Sequence, residues 1–239
     1  MKAFILAAGV SRRLYPHTYN TPKCLLEVGG KPIINYQLEA LDKLSVSNVT
    51  MVVGYHREML MKHVVENFPK LNFNFIVNDH FFETNTAYSA FLACEKLILD
   101  DHILMNADVV YEEKMLFELV QSAYTSVLAV DIKDCGREEV KVVDGGDNKI
   151  SAIGKDLIES QCLGEFIGVA KLSKDFNNYF ASSLRKLIDA GGMNDYFEAG
   201  IQPILEKINV NYLDVSSYSC MEIDFIEDLK QARKIFKLN

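Results

Sequence analysis

The sequence has no tryptophan and only 5 prolines, so neither a Pro-rich linker nor a low-complexity segment punctuates its 239 residues. Its five cysteines (Cys24, Cys94, Cys135, Cys162 and Cys220) stand far apart and form no C-x-x-C pair. An odd, scattered set fits free thiols in a reducing compartment and argues against a disulfide framework or a zinc site. The five histidines (His17, His56, His63, His80 and His102) show no metal-ligand spacing. Positive charge is in the minority, with 25 Lys and Arg against 33 Asp and Glu, a formal net charge of −8. Sequence-independent nucleic-acid binding relies on basic surface, so no nucleic-acid partner is expected. Long apolar runs are missing too. The N-terminal one ends at Gly9 and is followed by Arg12 and Arg13, too short for a signal peptide or a membrane span. The expectation is a cytoplasmic protein with no membrane partner; an oligomer stays open.

What is present is ordinary for a globular chain: 49% hydrophobic and 24% charged residues. A chain of this length buries most of its apolar surface in one α/β domain without covalent staples. Apolar runs predict strands over residues 2–8, 48–53, 72–77, 102–105 and 126–130. Helical spacing predicts helices over 32–43, 56–67, 86–97 and 114–122. This alternation implies βαβ units: a three-layer, Rossmann-like, mostly parallel sheet with helices on both faces. After residue 131 the pattern changes. Residues 140–143 and 150–153 flank Asp144-Gly145-Gly146-Asp147 and read as a small β-hairpin insertion. Strands over 166–172 and 210–214 and helices over 174–190, 197–208 and 228–237 follow. The change of pattern divides the chain into two halves, 1–131 and 132–239, within one domain.

Ligands of such sheets bind at the carboxyl ends of the strands. Two candidates sit there. The first is the loop Leu6-Ala7-Ala8-Gly9-Val10-Ser11-Arg12-Arg13, in which small residues admit close approach and Arg neutralises phosphate charge. The second is Asn106-Ala107-Asp108, whose carboxylate is placed to hold Mg²⁺ with substrate phosphates. A solvated basic loop and a turn-capping Asp are the bland alternatives.

The loop continues as Gly9, Arg13, Pro16, Thr18, Pro22 and Lys23 in the pattern G-x-x-x-R-x-x-P-x-T-x-x-x-P-K, then Val28-Gly29-Gly30-Lys31-Pro32. This stretch resembles the signature of the nucleotidyltransferases with a sugar-nucleotide-pyrophosphorylase-like fold, over essentially the whole chain. The resemblance implies that Leu6, Ala7, Ala8, Gly9, Ser11, Arg12, Gly54 and Ala107 hold a nucleoside triphosphate. It implies that Arg13 and Lys23 are catalytic, on the leaving pyrophosphate and the α-phosphate. Met221-Glu222-Ile223-Asp224 resembles the E-I-D motif of the choline-phosphate cytidylyltransferase branch, in which two aspartates share one magnesium. Asp108 and Asp224 are therefore the expected metal ligands, with Glu222 as a third candidate that also reads as a charged strand end. Asn85-Thr86-Ala87-Tyr88-Ser89 is similar to the N-N-x-Y-S stretch of that branch and makes Asn85 and Thr86 nucleotide contacts, although Thr86 departs from it. Thr84 or Asn85 equally suits a helix cap. By the same resemblance, acceptor contacts fall on Glu165, Asn194, Tyr196 and Glu198, which makes 1–131 the expected nucleotide-binding half and 132–239 the expected acceptor-binding half with a C-terminal metal motif.

The expected function is a Mg²⁺-dependent cytidylyltransferase. It would move CMP from CTP to a small phosphorylated or phosphonate acceptor of the phosphocholine, aminoethylphosphonate or phosphoglutamine type, for surface polysaccharide or lipid decoration. Two rivals remain at this stage: a uridylyl-, thymidylyl- or guanylyltransferase acting on a sugar 1-phosphate, and a nucleotide-sensing regulatory subunit that no longer catalyses.

Overall fold

The structure, a computed structural model, describes residues 1–237; the last two positions of the expected 132–239 half lie outside the described residues. In the first half β1 (Lys2–Ala7) leads to the short strands β2 (Glu27–Val28) and β3 (Lys31–Pro32) and to α1 (Ile33–Lys43). β4 (Asn48–Val53), α2 (Arg57–Asn67) and β5 (Asn72–Val77) follow, then α3 (Thr86–Leu92), α4 (Cys94–Leu97), β6 (His102–Asn106) and β7 (Val109–Tyr111). α5 (Glu113–Gln121) and β8 (Val127–Asp131) close this half. The second half carries β9 (Lys141–Asp144), β10 (Ile150–Gly154), β11 (Gly164–Leu172), α6 (Lys174–Asp189), α7 (Glu198–Ile201), β12 (Asn211–Asp214), β13 (Cys220–Glu222) and α8 (Ile226–Ile235).

One nine-stranded sheet runs through both halves. β6, β1, β4 and β5 pair in parallel, as the βαβ pattern predicts, and β12 pairs in parallel with β8. β11 runs antiparallel to β6, β8 and β9, and the β9–β10 hairpin extends this end of the sheet. Pairing between β6 and β11 and between β8 and β12 crosses the 131/132 boundary, so the two halves share a core. Buried side chains of α1, α2 and α5 cover one face of the sheet, and those of α3, α4, α6 and α7 cover the other. Removing this apolar area from water supplies the main stabilising term, roughly 25 cal/mol per Å².

Three local departures bear on the site. The predicted helix over 86–97 breaks at Ala93 into α3 and α4. The predicted helix over 197–208 shrinks to one α-turn followed by a 3-10 turn that contains Pro203, whose ring is incompatible with a helix interior. β7 and β13, three residues each, pair antiparallel through Val109–Glu222 and Cys220–Tyr111; the strand-end reading of Glu222 apart, the sequence did not announce them. A small apolar cluster of Leu14, Val28, Ile33, Val110, Ile223 and Leu229 lies beneath them. It ties the N-terminal loop and α8 to the same patch.

Candidate active site

The carboxyl ends of β1 and β6 lie side by side, because Leu6 pairs with Asn106 and Ala107 donates its N–H to the Leu6 carbonyl at 3.0 Å. The chain leaves β1 through Gly9 into the basic loop. Ser11 takes a left-handed backbone (φ 54°), and its carbonyl accepts a hydrogen bond from the buried Thr18 hydroxyl at 2.9 Å. The Tyr55 hydroxyl donates to the carbonyls of Thr18 and Tyr19, which pins the loop to the end of β4. Gly54 serves this packing. A Cβ there would lie 2.8 Å from both the Ala8 carbonyl oxygen and Phe81 Cβ. At Gly9 a Cβ would meet no atom within 4 Å, so the space over this turn is open.

The loop and the strand ends surround a cavity of about 380 Å³, within the usual size of small-molecule sites. Leu6, Ala8, Gly9, Ser11, Arg12 and Arg13 line it, as do Lys23, Asn85 and Thr86. Ala7, Gly54 and Ala107 do not; they are buried in the strand ends beside it. Asn85 accepts the N–H of Thr86 at 2.8 Å and so caps α3, while the Thr86 hydroxyl oxygen accepts the N–H of Phe197 at 3.0 Å. Both residues thus also fasten the 193–198 segment to the first half.

Lys23 is the hub of the site. Only 9% exposed, its Nζ lies 2.7 Å from Asp108 Oδ2 and 2.7 Å from Asp224 Oδ1. Burial alone would lower the Lys23 pKa, but the charges of Asp108, Asp224 and Glu222 outweigh it and raise it, so the ammonium persists. Asp224 arrives by the β7–β13 ladder, and Ile223 N–H donates to the Asp108 carbonyl at 3.1 Å, which locks the two acidic segments together. Asp228, in the first turn of α8, accepts the N–H groups of Asp224 and Phe225. The helix therefore begins at Ile226, two residues before the expected start, because its N3 carboxylate reaches back to cap it. Burial raises the Asp224 pKa, yet Lys23 and then Arg13 pull it below the ordinary carboxylate value. Arg13 is more exposed. Its guanidinium lies 3.6 Å from Asp224, 3.1 Å from Glu138 and 5.0 Å from the Phe225 ring centroid.

Asp108, Glu222 and Asp224 each offer a carboxylate oxygen within 4.8 Å of the others. Burial, then Asp108 and Asp224, hold the Glu222 carboxyl well above its usual range. Asp108 Oδ1 is buried without a hydrogen-bond partner. Crowded hard oxygen donors, one of them orphaned, fit a small divalent cation such as Mg²⁺.

The expected acceptor residues divide. Tyr196 and Glu198 line the cavity. Glu165 and Asn194 do not: Glu165 pairs with Lys133 at 2.6 Å, and Asn194 is exposed on a 3-10 turn. Lys155 was missed. It lines the cavity and sets its Nζ 4.0 Å from the centroid of the Tyr196 ring, and it belongs to no ion pair among the described residues. Phe81, Phe82 and Glu138, also on the wall, were missed as well. No local pattern marks any of these four.

Comparison with known proteins bears on the same regions. Residues 3–146 match the model of the MobA-like NTP transferase domain. The chain is 29% identical over 238 residues to a choline-phosphate cytidylyltransferase of Streptococcus pneumoniae, covering 99% of each. It is 27% identical to a CTP:phosphoglutamine cytidylyltransferase of Campylobacter jejuni, covering 96% of this chain and 98% of that one. The solved structure of a CTP:phosphocholine cytidylyltransferase from Streptococcus pneumoniae superposes with a TM-score of 0.83 at 25% identity, over 99% of both chains.

Proposed function

The chain belongs to the MobA-like NTP transferase domain family and is a nucleotidyltransferase; on that premise we propose that it transfers CMP from CTP to a small phosphorylated or phosphonate acceptor, releasing pyrophosphate. The observation that carries this reading is the convergence of Lys23 with Asp108 and Asp224 at the cavity beside the Gly9–Arg13 loop. The choice of CTP rests on the two full-length relatives, both cytidylyltransferases by name.

The chemistry needs no protein nucleophile. The acceptor's phosphate or phosphonate oxygen is an anion at neutral pH. It attacks the α-phosphorus of CTP in line, the bond to the β-phosphate oxygen breaks, and pyrophosphate leaves opposite. The protein supplies position and charge. Asp108, Asp224 and Glu222 would hold Mg²⁺, which when bound offers Lewis-acid stabilisation to the phosphate oxygens. Lys23, held between two of these carboxylates, faces the α-phosphate. Arg13 and Arg12 take up charge on the leaving pyrophosphate, and Lys155 meets the acceptor's anionic group from the opposite wall. Cys24, next to Lys23, stays out of the chemistry, because burial pushes its thiol up to about 12.

A pyrophosphate-release assay over four nucleoside triphosphates and a panel of phosphocholine, aminoethylphosphonate, phosphoglutamine and sugar 1-phosphates tests the reading. CTP with a non-sugar acceptor is the expected best pair. Preference for UTP, dTTP or GTP with a sugar phosphate would replace it by the sugar-nucleotide reading. CTP binding without turnover across the panel would replace it by a regulatory one.

A further inference from the structure

α1 buries Ile33, Ile34, Leu38, Ala40 and Leu41 together with a single amide, Gln37, which is fully inaccessible. An apolar side chain of similar volume would satisfy the helix packing, but it would offer no donor to the groups this face meets. The amide instead spends both hydrogens on one short turn. Gln37 Nε2 donates to the Asn106 carbonyl at 2.8 Å and to the Val109 carbonyl at 2.9 Å. Both acceptors are carbonyls, which fixes Nε2 as the atom facing them. Gln37 Oε1 is left buried without a partner. An unpaired buried polar oxygen is costly, so the arrangement favours the turn over the helix.

That turn carries Asp108. Its residues, Ala107 and Asp108, lie between the end of β6 and the start of β7, where the sheet ladder does not reach them. Three other supports define its position: Leu6 through Ala107 N–H, Ile223 N–H on the Asp108 carbonyl, and the Lys23 ammonium on the carboxylate. Gln37 clamps the two flanking carbonyls, those of Asn106 and Val109. We propose that Gln37 is a positioning residue for Asp108, holding its carboxylate in register with Asp224 for the cation the two would share. The proposal rests on the reading of Asp108 as a metal ligand. It gives the buried amide of α1 a role in cation binding without contact with substrate.

The test is Mn²⁺ binding to the full chain without nucleotide, followed by the electron paramagnetic resonance of the free ion, well below the melting temperature of each variant. Wild type, Asp108→Asn, Gln37→Met and Leu38→Ala are compared. Asp108→Asn should lose Mn²⁺ binding; if it binds as wild type does, or wild type does not bind, the metal reading itself fails and the role of Gln37 falls with it. With that reading intact, Gln37→Met should bind Mn²⁺ about tenfold more weakly, and its kcat should fall by a similar factor while KM for CTP stays within about twofold. Leu38→Ala, which removes a buried side chain from the same helix, should lower Tm and keep wild-type Mn²⁺ affinity. Unchanged Mn²⁺ binding in Gln37→Met, or an equal loss in Leu38→Ala, overturns the positioning role. Should Gln37→Met not fold, Gln37→Glu keeps the volume without the paired donors and is measured in its place; failure of both to fold makes Gln37 a purely structural residue and overturns the proposal as well.

Discussion

The two walls of the cavity differ in how their charges are matched. On the first-half wall Lys23 and Arg13 are met by the carboxylates of Asp108 and, reaching over from the second half, Asp224 at 2.7 and 3.6 Å, and the backbone of the turn that carries Asp108 is held by hydrogen bonds to Gln37, Leu6 and Ile223. On the second-half wall Lys155 packs against the Tyr196 ring and forms no ion pair among the described residues, and Glu198 is 4% exposed with an Oε2 that has no hydrogen-bond partner among them. A wall whose charges already balance is rigid before any ligand arrives and suits a substrate part common to all turnovers, the triphosphate. A wall with unmatched charges has interactions still to make, which suits the variable partner, the acceptor. Preorganisation should therefore concentrate rate effects on the first wall and binding effects on the second.

Breaking the matched wall should cost most. Asp224→Asn should lower kcat by about 10³-fold at saturating CTP, because it removes a charge from both Lys23 and the cation site. Lys23→Ala should lower kcat by roughly 10²–10³-fold, equivalent to about 3–4 kcal/mol of barrier. A pyrophosphate-release assay with purified, folded variants measures both, and near-wild-type turnover in either would remove the hub from the mechanism. On the unmatched wall, Lys155→Met should raise KM for the acceptor about tenfold, the order expected for one charge-assisted contact, and leave KM for CTP within about twofold. If the two KM values rise together, the walls do not divide the substrates and the comparison fails.

The matched wall was also the legible one. Most of its residues lie within one motif, Gly9 to Lys23, or, like Asp108, just after an apolar strand, where sheet geometry delivers side chains to ligands. Asp108 and Asp224 could be paired from the sequence because the E-I-D stretch resembles a known motif, but the device that pairs them could not. β7 and β13 are too short to show a period of two. Gln37 reads as one polar residue in an amphipathic helix, and only the β6–β7 turn packed against it reveals its purpose. The second wall is assembled from the ends of β10, the loop before α7 and the first turn of α7, none of which carries a local signature. Resemblance there pointed to Tyr196 and Glu198, which line the cavity, and to Glu165 and Asn194, which do not.

The smallest effect should be on stability rather than turnover, and it comes from Glu198. Burial raises its pKa from 4.5 to about 7, against weaker opposing pulls from its own backbone N–H and from Lys155. Between these two values the folded chain binds more protons than the unfolded chain at this site. Stability contributed by Glu198 is therefore whole below about pH 4.5 and falls as pH rises through 7. Glu198→Gln fixes the side chain in a neutral form and removes this dependence. Its Tm should match wild type near pH 5 and exceed it at pH 8, by an amount equivalent to at most on the order of 3 kcal/mol. Adding the acceptor should shrink the gap at pH 8 if its bound group gives the ionised Glu198 a partner. A gap that is the same at both pH values would mean that Glu198 does not hold its proton in the folded chain, and the contrast between a matched and an unmatched wall would then rest on Lys155 alone.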